Sequence, residues 1–338
     1  MITILTDCSL KKINTFGFDA HSKYFVEVAD ARELSLVMNF CKEHACRWQV
    51  VGSGSNLLFT KNFDGVTISM VTRGIEILEQ DEHCAIVRAE AGVVWDDFVG
   101  FCVKNSLYGA ENLSGIPGTV GASPVQNVGA YGVEAKDIIQ QVEYFSTEDC
   151  QFKTIEVEDC QFAYRDSIFK HDLAGRVIVT AVRFKLSKIE SYNLSYGNLE
   201  ERVSESGSMP TLESVRAAVC AIRDEKLPKP GVIGSAGSFF RNPIVSVEVA
   251  EDIAKKYPDI KLYPVDAKRV KVPAGWLIDR AGWKGFRRGD AGVYERQALV
   301  LVNYGQATGA QILALAEEIR HDVKQKFGVE LDFEAIVI

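Results

Sequence analysis

The chain has no Cys-x-x-Cys pair, although it carries eight cysteines, at positions 8, 41, 46, 84, 102, 150, 160 and 220. Their irregular spacing gives neither a zinc ribbon nor a redox dithiol. Several stand at apolar periodic positions, such as Cys102 in the run from Trp95 to Val103, so reduced, mostly buried thiols in a cytosol are expected. The five histidines, at 21, 44, 83, 171 and 321, form no His-Glu-x-x-His or clustered ligand set, and no structural metal is expected. No apolar run approaches the roughly 20 residues that a membrane span requires. Residues 1–10, which include Asp7 and Cys8, show neither a basic n-region nor an apolar h-region, so a signal peptide is not expected and a cytoplasmic location is. Positive charge is in deficit: 38 Lys and Arg against 46 Asp and Glu leave a net charge of −8. Such a field repels nucleic acid and anionic membrane surfaces. Neither is expected as a partner, and any phosphate-bearing ligand must meet a local donor-rich site.

What is present fills a globular protein. At 338 residues the chain exceeds the length over which one core keeps growing, so two or three domains are expected. Hydrophobic residues at 47% and charged residues at 25% exclude a disordered or fibrous chain. Residues 24–29 alternate as a strand, and Asp30 with Glu33 forms a capping-box pattern that opens a helix to about His44. Residues 47–51 read as a strand, Gly52 to Asn56 as a turn, and Leu57-Leu58-Phe59 as a further strand. Residues 85–89 read as a strand, and 95–104 as a helix burying Trp95, Phe98, Val99, Cys102 and Val103. Short alternating runs from Val142 to Leu186 predict a mixed or antiparallel sheet. Glu200 to Pro210, containing Ser204, Ser206, Gly207 and Ser208, reads as a linker. Thr211 caps a helix with Val215, Ala218, Val219 and Ile222 on one face, stopped by Pro228 and Pro230. A last long helix, 308–327, buries Ile312, Leu315, Ala316, Ile319 and Val323 and stops at Gly328. A closing strand, 329–338, ends the chain.

Two glycine segments interrupt this pattern. Val51-Gly52-Ser53-Gly54-Ser55-Asn56 lacks the third glycine of a dinucleotide fingerprint and runs into a strand rather than a helix, which excludes a Rossmann reading. Small residues in succession let backbone N–H groups converge on an anion; a tight hairpin explains them equally well. The second segment, Ser114-Gly115-Ile116-Pro117-Gly118-Thr119-Val120-Gly121, continues through Gln126-Asn127-Val128-Gly129-Ala130-Tyr131-Gly132. It is too long and apolar for a plain turn. Its glycines permit close backbone approach, Ile116 and Val120 offer apolar packing beneath a planar ring, and Gln126 and Asn127 offer side-chain hydrogen bonds. Together the segments suit a dinucleotide cofactor, with a surface Ω-loop as the alternative for the second.

These residues resemble one family, the UDP-N-acetylenolpyruvoylglucosamine reductases. The resemblance covers nearly the whole chain. It rests on Asn14-Thr15-Phe16, the two glycine segments, Tyr164-Arg165-Asp166-Ser167, the stretch Gly234-Ser235-Ala236-Gly237-Ser238-Phe239-Phe240-Arg241-Asn242-Pro243, Ala274-Gly275-Trp276-Leu277-Ile278, and Leu331-Asp332-Phe333-Glu334. It implies an α+β fold: a two-lobed FAD-binding unit of the vanillyl-alcohol oxidase type, with lobes at 1–70 and 71–205, and a C-terminal α+β substrate-binding domain at 206–338. The strand at 329–338 would return towards the active site. FAD would be held noncovalently, since neither glycine segment contains a His or Cys to bond it. Its implied contacts are Gly52, Ser53, Gly54, Ser55, Asn56 and Leu57 in the first segment. In the second they are Ser114, Gly115, Ile116, Pro117, Gly118, Gly121, Gln126, Asn127, Gly129 and Ala130. NADPH would be the co-substrate and UDP-N-acetylglucosamine enolpyruvate the substrate, reduced to UDP-N-acetylmuramate by a cytoplasmic monomer serving peptidoglycan synthesis. Rival readings are an FAD-dependent oxidase of the same cofactor fold and a non-catalytic UDP-sugar-binding protein; the Gly234 to Pro243 motif and Glu334 weigh against the first.

The resemblance also assigns roles. Reducing an enolpyruvyl ether needs a hydride at the vinyl carbon, which flavin N5 would deliver, and a proton at the adjacent enolate carbon. Ser238 would donate that proton; no Gly-x-Ser-x-Gly elbow surrounds it, so hydrolase chemistry is disfavoured. Without the resemblance, a serine in a glycine turn is structural. Arg165 would hold the carboxylate or enolate oxygen with its planar fork of donors, a salt bridge to Asp166 or another carboxylate being the alternative. Glu334, on one strand face with Glu330 and Asp332, is either a solvated edge or a carboxyl that stabilises the enol. Tyr131, Tyr196, Lys226, Asn242 and Gln297 would grip the nucleotide. Tyr196 would do so from a loop, Ser195-Tyr196-Gly197-Asn198-Leu199, that closes over the substrate. Lys226 at a helix end also fits a macrodipole interaction.

Overall fold

A computed structural model describes residues 2–205 and 209–338. Ser206, Gly207 and Ser208 of the expected linker lie outside the described residues. The chain divides into two compact units. The first comprises Met1–Cys8, Ser22–Ser53 and Phe63–Arg223; the second comprises Ser9–His21, Gly54–Asn62 and Asp224–Ile338.

In the first unit, strands His21–Val28 and Arg47–Val50 both pair in parallel with Phe63–Met70, and Ile4–Ser9 lies outermost beside His21–Val28. The helix Leu34–Glu43 buries Leu34, Val37, Met38 and Cys41 against Val26, Val28, Val66 and Ile68. Its entry differs from a capping box. The Asp30 carboxylate accepts the Arg32 N–H and is also gripped by the Arg32 guanidinium, so the first turn, Ala31–Glu33, is a 3-10 turn.

The expected antiparallel sheet is present, in the order Gln151–Glu156, Ile139–Ser146, Val177–Ser187, Cys84–Glu90, Ile75–Gln80. Helix Trp95–Lys104 packs there, with Trp95, Phe98, Val99, Cys102 and Val103 buried as the periodicity predicted. Phe98 and Phe184 rings lie 4.2 Å apart, and each fully buried ring contributes roughly 1.5–3 kcal/mol. The expected linker is partly helical: Leu199–Ser204 forms a helix because Leu199 and Val203, four residues apart, pack on Val215, Val219 and Ile222. Polar neighbours hide this pair in the sequence. Thr211 caps the next helix, Leu212–Lys226, accepting the Ser214 N–H through its hydroxyl.

In the second unit, an antiparallel sheet runs in the order Gly234–Ser238, Val300–Asn303, Ala291–Val293, Arg287–Arg288. Helix Gly309–Phe327 buries Ile312, Leu315, Ala316, Ile319 and Val323. Thr308 and Gln311 close a capping box, and Gly328, at φ 70°, ends the helix. Gly309 has a separate constraint, because a Cβ there would lie 1.9 Å from the Phe59 carbonyl oxygen. Helix propensity alone would favour alanine by about 1 kcal/mol. The clash is with backbone, so we expect Gly309→Ala to cost about 1–3 kcal/mol net, measured by denaturant unfolding; a stabilised variant would contradict that close approach. The closing strand is shorter than expected. Only Ile336–Val337 is strand, parallel to Leu57–Leu58, because the backbone before it bonds to Phe239 and Arg241 instead.

Candidate active site

In the first unit the two glycine segments meet. A Cβ on Gly52 would lie 2.7 Å from Thr119 Oγ1. The adjacent Ser53 Oγ is buried without a hydrogen-bond partner among the described residues, an orphan that a polar ligand atom would satisfy. The second segment is anchored at its start. Trp95 Nε1 donates to the Leu113 carbonyl at 2.9 Å, Ser114 Oγ to Glu111 O at 2.6 Å, and Gly115 N to Asp96 Oδ1 at 2.7 Å. Arg216 binds both Asp96 oxygens at 2.7 Å, and Arg223 Nε donates to the Gly115 carbonyl at 3.1 Å. Gly115 and Gly118 adopt φ 68° and 141°, open to glycine at little cost. Val120 and Gly121 spend their amides on the Val93 and Ala91 carbonyls, which confines anion-cradling amides to the turn before them. Gly121 packs so tightly that a Cβ would lie 2.6 Å from Ala91 Cβ. Val120 is fully buried in the core and so does not face a ligand ring. Ser114 and Asn127 are also buried, while Ile116, Gln126, Gly129 and Ala130 are half-buried and Pro117 is exposed.

Burial raises the Asp96 pKa, but the hydrogen bonds from Arg216 and the Gly115 amide outweigh it and hold the carboxyl below its ordinary value. A depressed folded-state pKa contributes stability above the unfolded value, about 4, and loses it as pH falls through the folded one. The stability gap between the parent and Asp96→Asn is therefore expected to be full at neutral pH and to close below about pH 4. Melting curves across that range check it; a constant gap would contradict it.

Asn127 spends its side chain inside the protein. Nδ2 donates to Glu134 Oε2 at 2.8 Å and to the Ala163 carbonyl at 3.0 Å, while Oδ1 accepts from Lys136 N. Ala163 begins the turn that carries Arg165, closed by reciprocal hydrogen bonds between Ala163 and Asp166. Arg165 sits at φ 56°, uncommon for a residue with a Cβ, and its Nη2 donates to the Gly129 carbonyl at 2.7 Å. Asp166, the alternative partner weighed for Arg165, binds His171 Nε2 at 2.8 Å. Tyr131 and Tyr196 meet edge to face, ring centroids 6.0 Å apart, and Tyr196 is 53% exposed.

In the second unit, Ser238 ends the strand Gly234–Ser238 opposite Val300. Glu334 N donates to the carbonyl of Phe239, the residue after Ser238, at 2.8 Å. Phe333 bridges Phe240, and Arg241 N donates to Asp332 O at 2.9 Å. Asn56 Nδ2 also holds the Glu334 carbonyl, at 3.1 Å. Glu334 thus lies on an irregular extended segment zipped to the serine turn, not on a regular strand face with Glu330 and Asp332. Thr15 Oγ1 donates to the Ser235 carbonyl at 2.5 Å, and Gly54, at φ 63°, has no room for a Cβ beside Ile13 O. Asn242 Oδ1 accepts from Ala274 N at 2.9 Å, Gln297 Oε1 from Leu299 N at 3.3 Å, and Lys226 is exposed at its helix end. Ser55 and Leu57 are half-buried. Ser238 and Glu334 are brought together; Arg165, Tyr131 and Tyr196 belong to the other unit. Sequence reasoning missed Asp96, Arg216, Arg223 and Asn112. Only the acidic start of the helix at Trp95 hints at Asp96.

No helix among the described residues is long and apolar enough to cross a membrane. All eight cysteines are free thiols.

A glycine-lined cradle with an orphan hydroxyl, set on an α+β scaffold, is what an FAD-binding flavoprotein requires, and residues 22–152 match an FAD binding domain. Residues 229–338 match the C-terminal domain of UDP-N-acetylenolpyruvoylglucosamine reductase. Proteins of that name are similar over almost their full length: 47% identity to the one from Pseudomonas savastanoi pv. phaseolicola, covering 96% of each chain, and 45% to that from Pseudomonas fluorescens, covering 98% of each. The crystal structure of UDP-N-acetylenolpyruvylglucosamine reductase from Thermus caldophilus superposes with a TM-score of 0.68 at 25% identity, over 100% of this chain and 98% of that one. The chain belongs to the UDP-N-acetylenolpyruvoylglucosamine reductase family.

Proposed function

We propose that the chain reduces UDP-N-acetylglucosamine enolpyruvate to UDP-N-acetylmuramate with electrons from NADPH, as a cytoplasmic monomer in peptidoglycan precursor synthesis. Residues 1–70 and 71–205 serve as the two lobes that hold FAD, and 206–338 as the substrate-binding domain. FAD, when bound there, would supply the hydride chemistry between NADPH and the substrate. Ser53 Oγ and the amides of Ile116, Gly118 and Thr119 would hold its polar atoms.

The protein supplies the rest. Arg165, aimed by the Gly129 carbonyl and the turn at 163–166, clamps the enolpyruvyl carboxylate. Ser238 gives its hydroxyl proton to the carbon next to the carboxylate, and Glu334 stabilises the charge that builds there. Tyr131, Tyr196, Lys226, Asn242 and Gln297 hold the nucleotide. The observation that carries this reading is the hydrogen bond from Glu334 N to Phe239 O, which fixes the proposed acid and the proposed charge stabiliser on adjoining backbone.

Purification tests it. A yellow protein that releases FAD on denaturation, and that oxidises NADPH only when the enolpyruvyl nucleotide is present, is expected. A colourless protein, or NADPH oxidation indifferent to that nucleotide, would overturn it.

A further inference from the structure

Asn112 is fully buried and precedes the second glycine segment. Its Nδ2 donates to the Tyr131 carbonyl at 2.8 Å and to the Asn193 carbonyl at 2.7 Å. An amide nitrogen has two hydrogens, so both are committed. The opposite orientation would set the amide oxygen against two carbonyls; the observed one leaves Oδ1 buried without a partner among the described residues. Two donor bonds outweigh one orphan acceptor, and the side chain is fixed in this sense.

What it ties down is specific. Tyr131 adopts φ 49°, a conformation that a bulky residue holds only when its surroundings impose it. Asn193 begins the stretch that leads to Tyr196. Its Nδ2 donates to the Gly132 carbonyl at 3.2 Å and its Oδ1 accepts from Ser195 Oγ at 2.8 Å. Gly132 packs closely there, since a Cβ would lie 3.3 Å from Asn193 Nδ2 and 3.6 Å from Tyr196 Cβ. One buried amide therefore joins the backbone of the first tyrosine to the loop of the second, beside the anchored start of the glycine segment.

We propose that Asn112 is a positioning residue for the substrate site, holding Tyr131 and the 193–197 loop in register so that Tyr131 and Tyr196 present one nucleotide-binding edge. This rests on the reading of those two tyrosines as substrate contacts.

The test uses the flavin-loaded protein with Asn112→Ala and the milder Asn112→Ser, which keeps one donor should the alanine variant fail to fold. Amide hydrogen exchange in 193–197 is expected to accelerate about tenfold or more, because local opening no longer breaks those two bonds. KM for the enolpyruvyl nucleotide should rise about tenfold with kcat changed less. Added to Tyr196→Ala, Asn112→Ser should raise KM by less than about twofold, since coupled residues are not additive. Unchanged exchange would overturn the proposal. Faster exchange with an unchanged KM would leave the latch in place but overturn the tyrosines as substrate contacts, and with them the positioning role. Full additivity with Tyr196→Ala would show that the effect does not travel through Tyr196, and would also overturn it.

Discussion

Ser238→Ala is expected to lower the rate of substrate reduction roughly 10²–10⁴-fold while NADPH still bleaches the flavin at close to the parent rate. The asymmetry is the informative part. A serine hydroxyl is a weak acid, useful only beside a strongly basic carbon, so its contribution is confined to the step that leaves such a carbon. The backbone around Ser238 is held from both sides: its strand pairs with Val300–Asn303, and the next residue's carbonyl accepts the Glu334 amide. The substitution removes one oxygen from a half-buried site and leaves these backbone bonds intact, so the fold should be preserved. Stopped-flow measurement of the two half-reactions separately decides it. Equal loss in both would mean that Ser238 acts on cofactor placement and not on proton transfer.

Arg165→Ala should cost about 3 kcal/mol of barrier, on the order of 100-fold in kcat/KM for the enolpyruvyl nucleotide. Arg165→Lys should recover little of it, because an ammonium lacks the planar fork that meets a carboxylate with two parallel hydrogen bonds. The structure gives this arginine an aim: Nη2 sits on the Gly129 carbonyl at 2.7 Å, and Arg165 is itself the left-handed residue of a closed turn. Asn127 braces that turn at Ala163. Steady-state kinetics of both variants at matched flavin content check the expectation. A lysine variant with parental kcat/KM would reduce Arg165 to a point charge.

The sequence made the long amphipathic elements legible because their stripes are wide. Trp95–Lys104 buries the five residues that periodicity selects, and Gly309–Phe327 begins and ends at its capping box and its glycine. Short elements resisted for a physical reason. In residues 199–204 only Leu199 and Val203 reach a core, and the polar residues between them read as linker. The segment 329–335 has strand-like residues but takes its hydrogen bonds from a turn rather than from a neighbouring strand, so alternation overstated its length.

The candidate site was legible in its motifs and not in its supports. The resemblance selects Arg165, Ser238 and Glu334. It does not reveal that Asn127 spends its amide on the turn behind Arg165, or that Asp96 and Arg223 hold the N–H and the carbonyl of Gly115 from a helix start and a helix far along the chain. Such contacts depend on three-dimensional proximity between single polar residues, which carry no periodicity. Val120 illustrates the converse: an apolar residue in a glycine segment faces the core as readily as a ligand, and only packing decides which.

The most direct test of the central claim is an anaerobic single turnover. The flavin-loaded protein is bleached with one equivalent of NADPH and then mixed with the enolpyruvyl nucleotide. Rapid return of the oxidised flavin absorbance, with one equivalent of UDP-N-acetylmuramate formed, is the result this account predicts. A flavin that stays bleached until oxygen is admitted, with the nucleotide recovered unchanged, would contradict it.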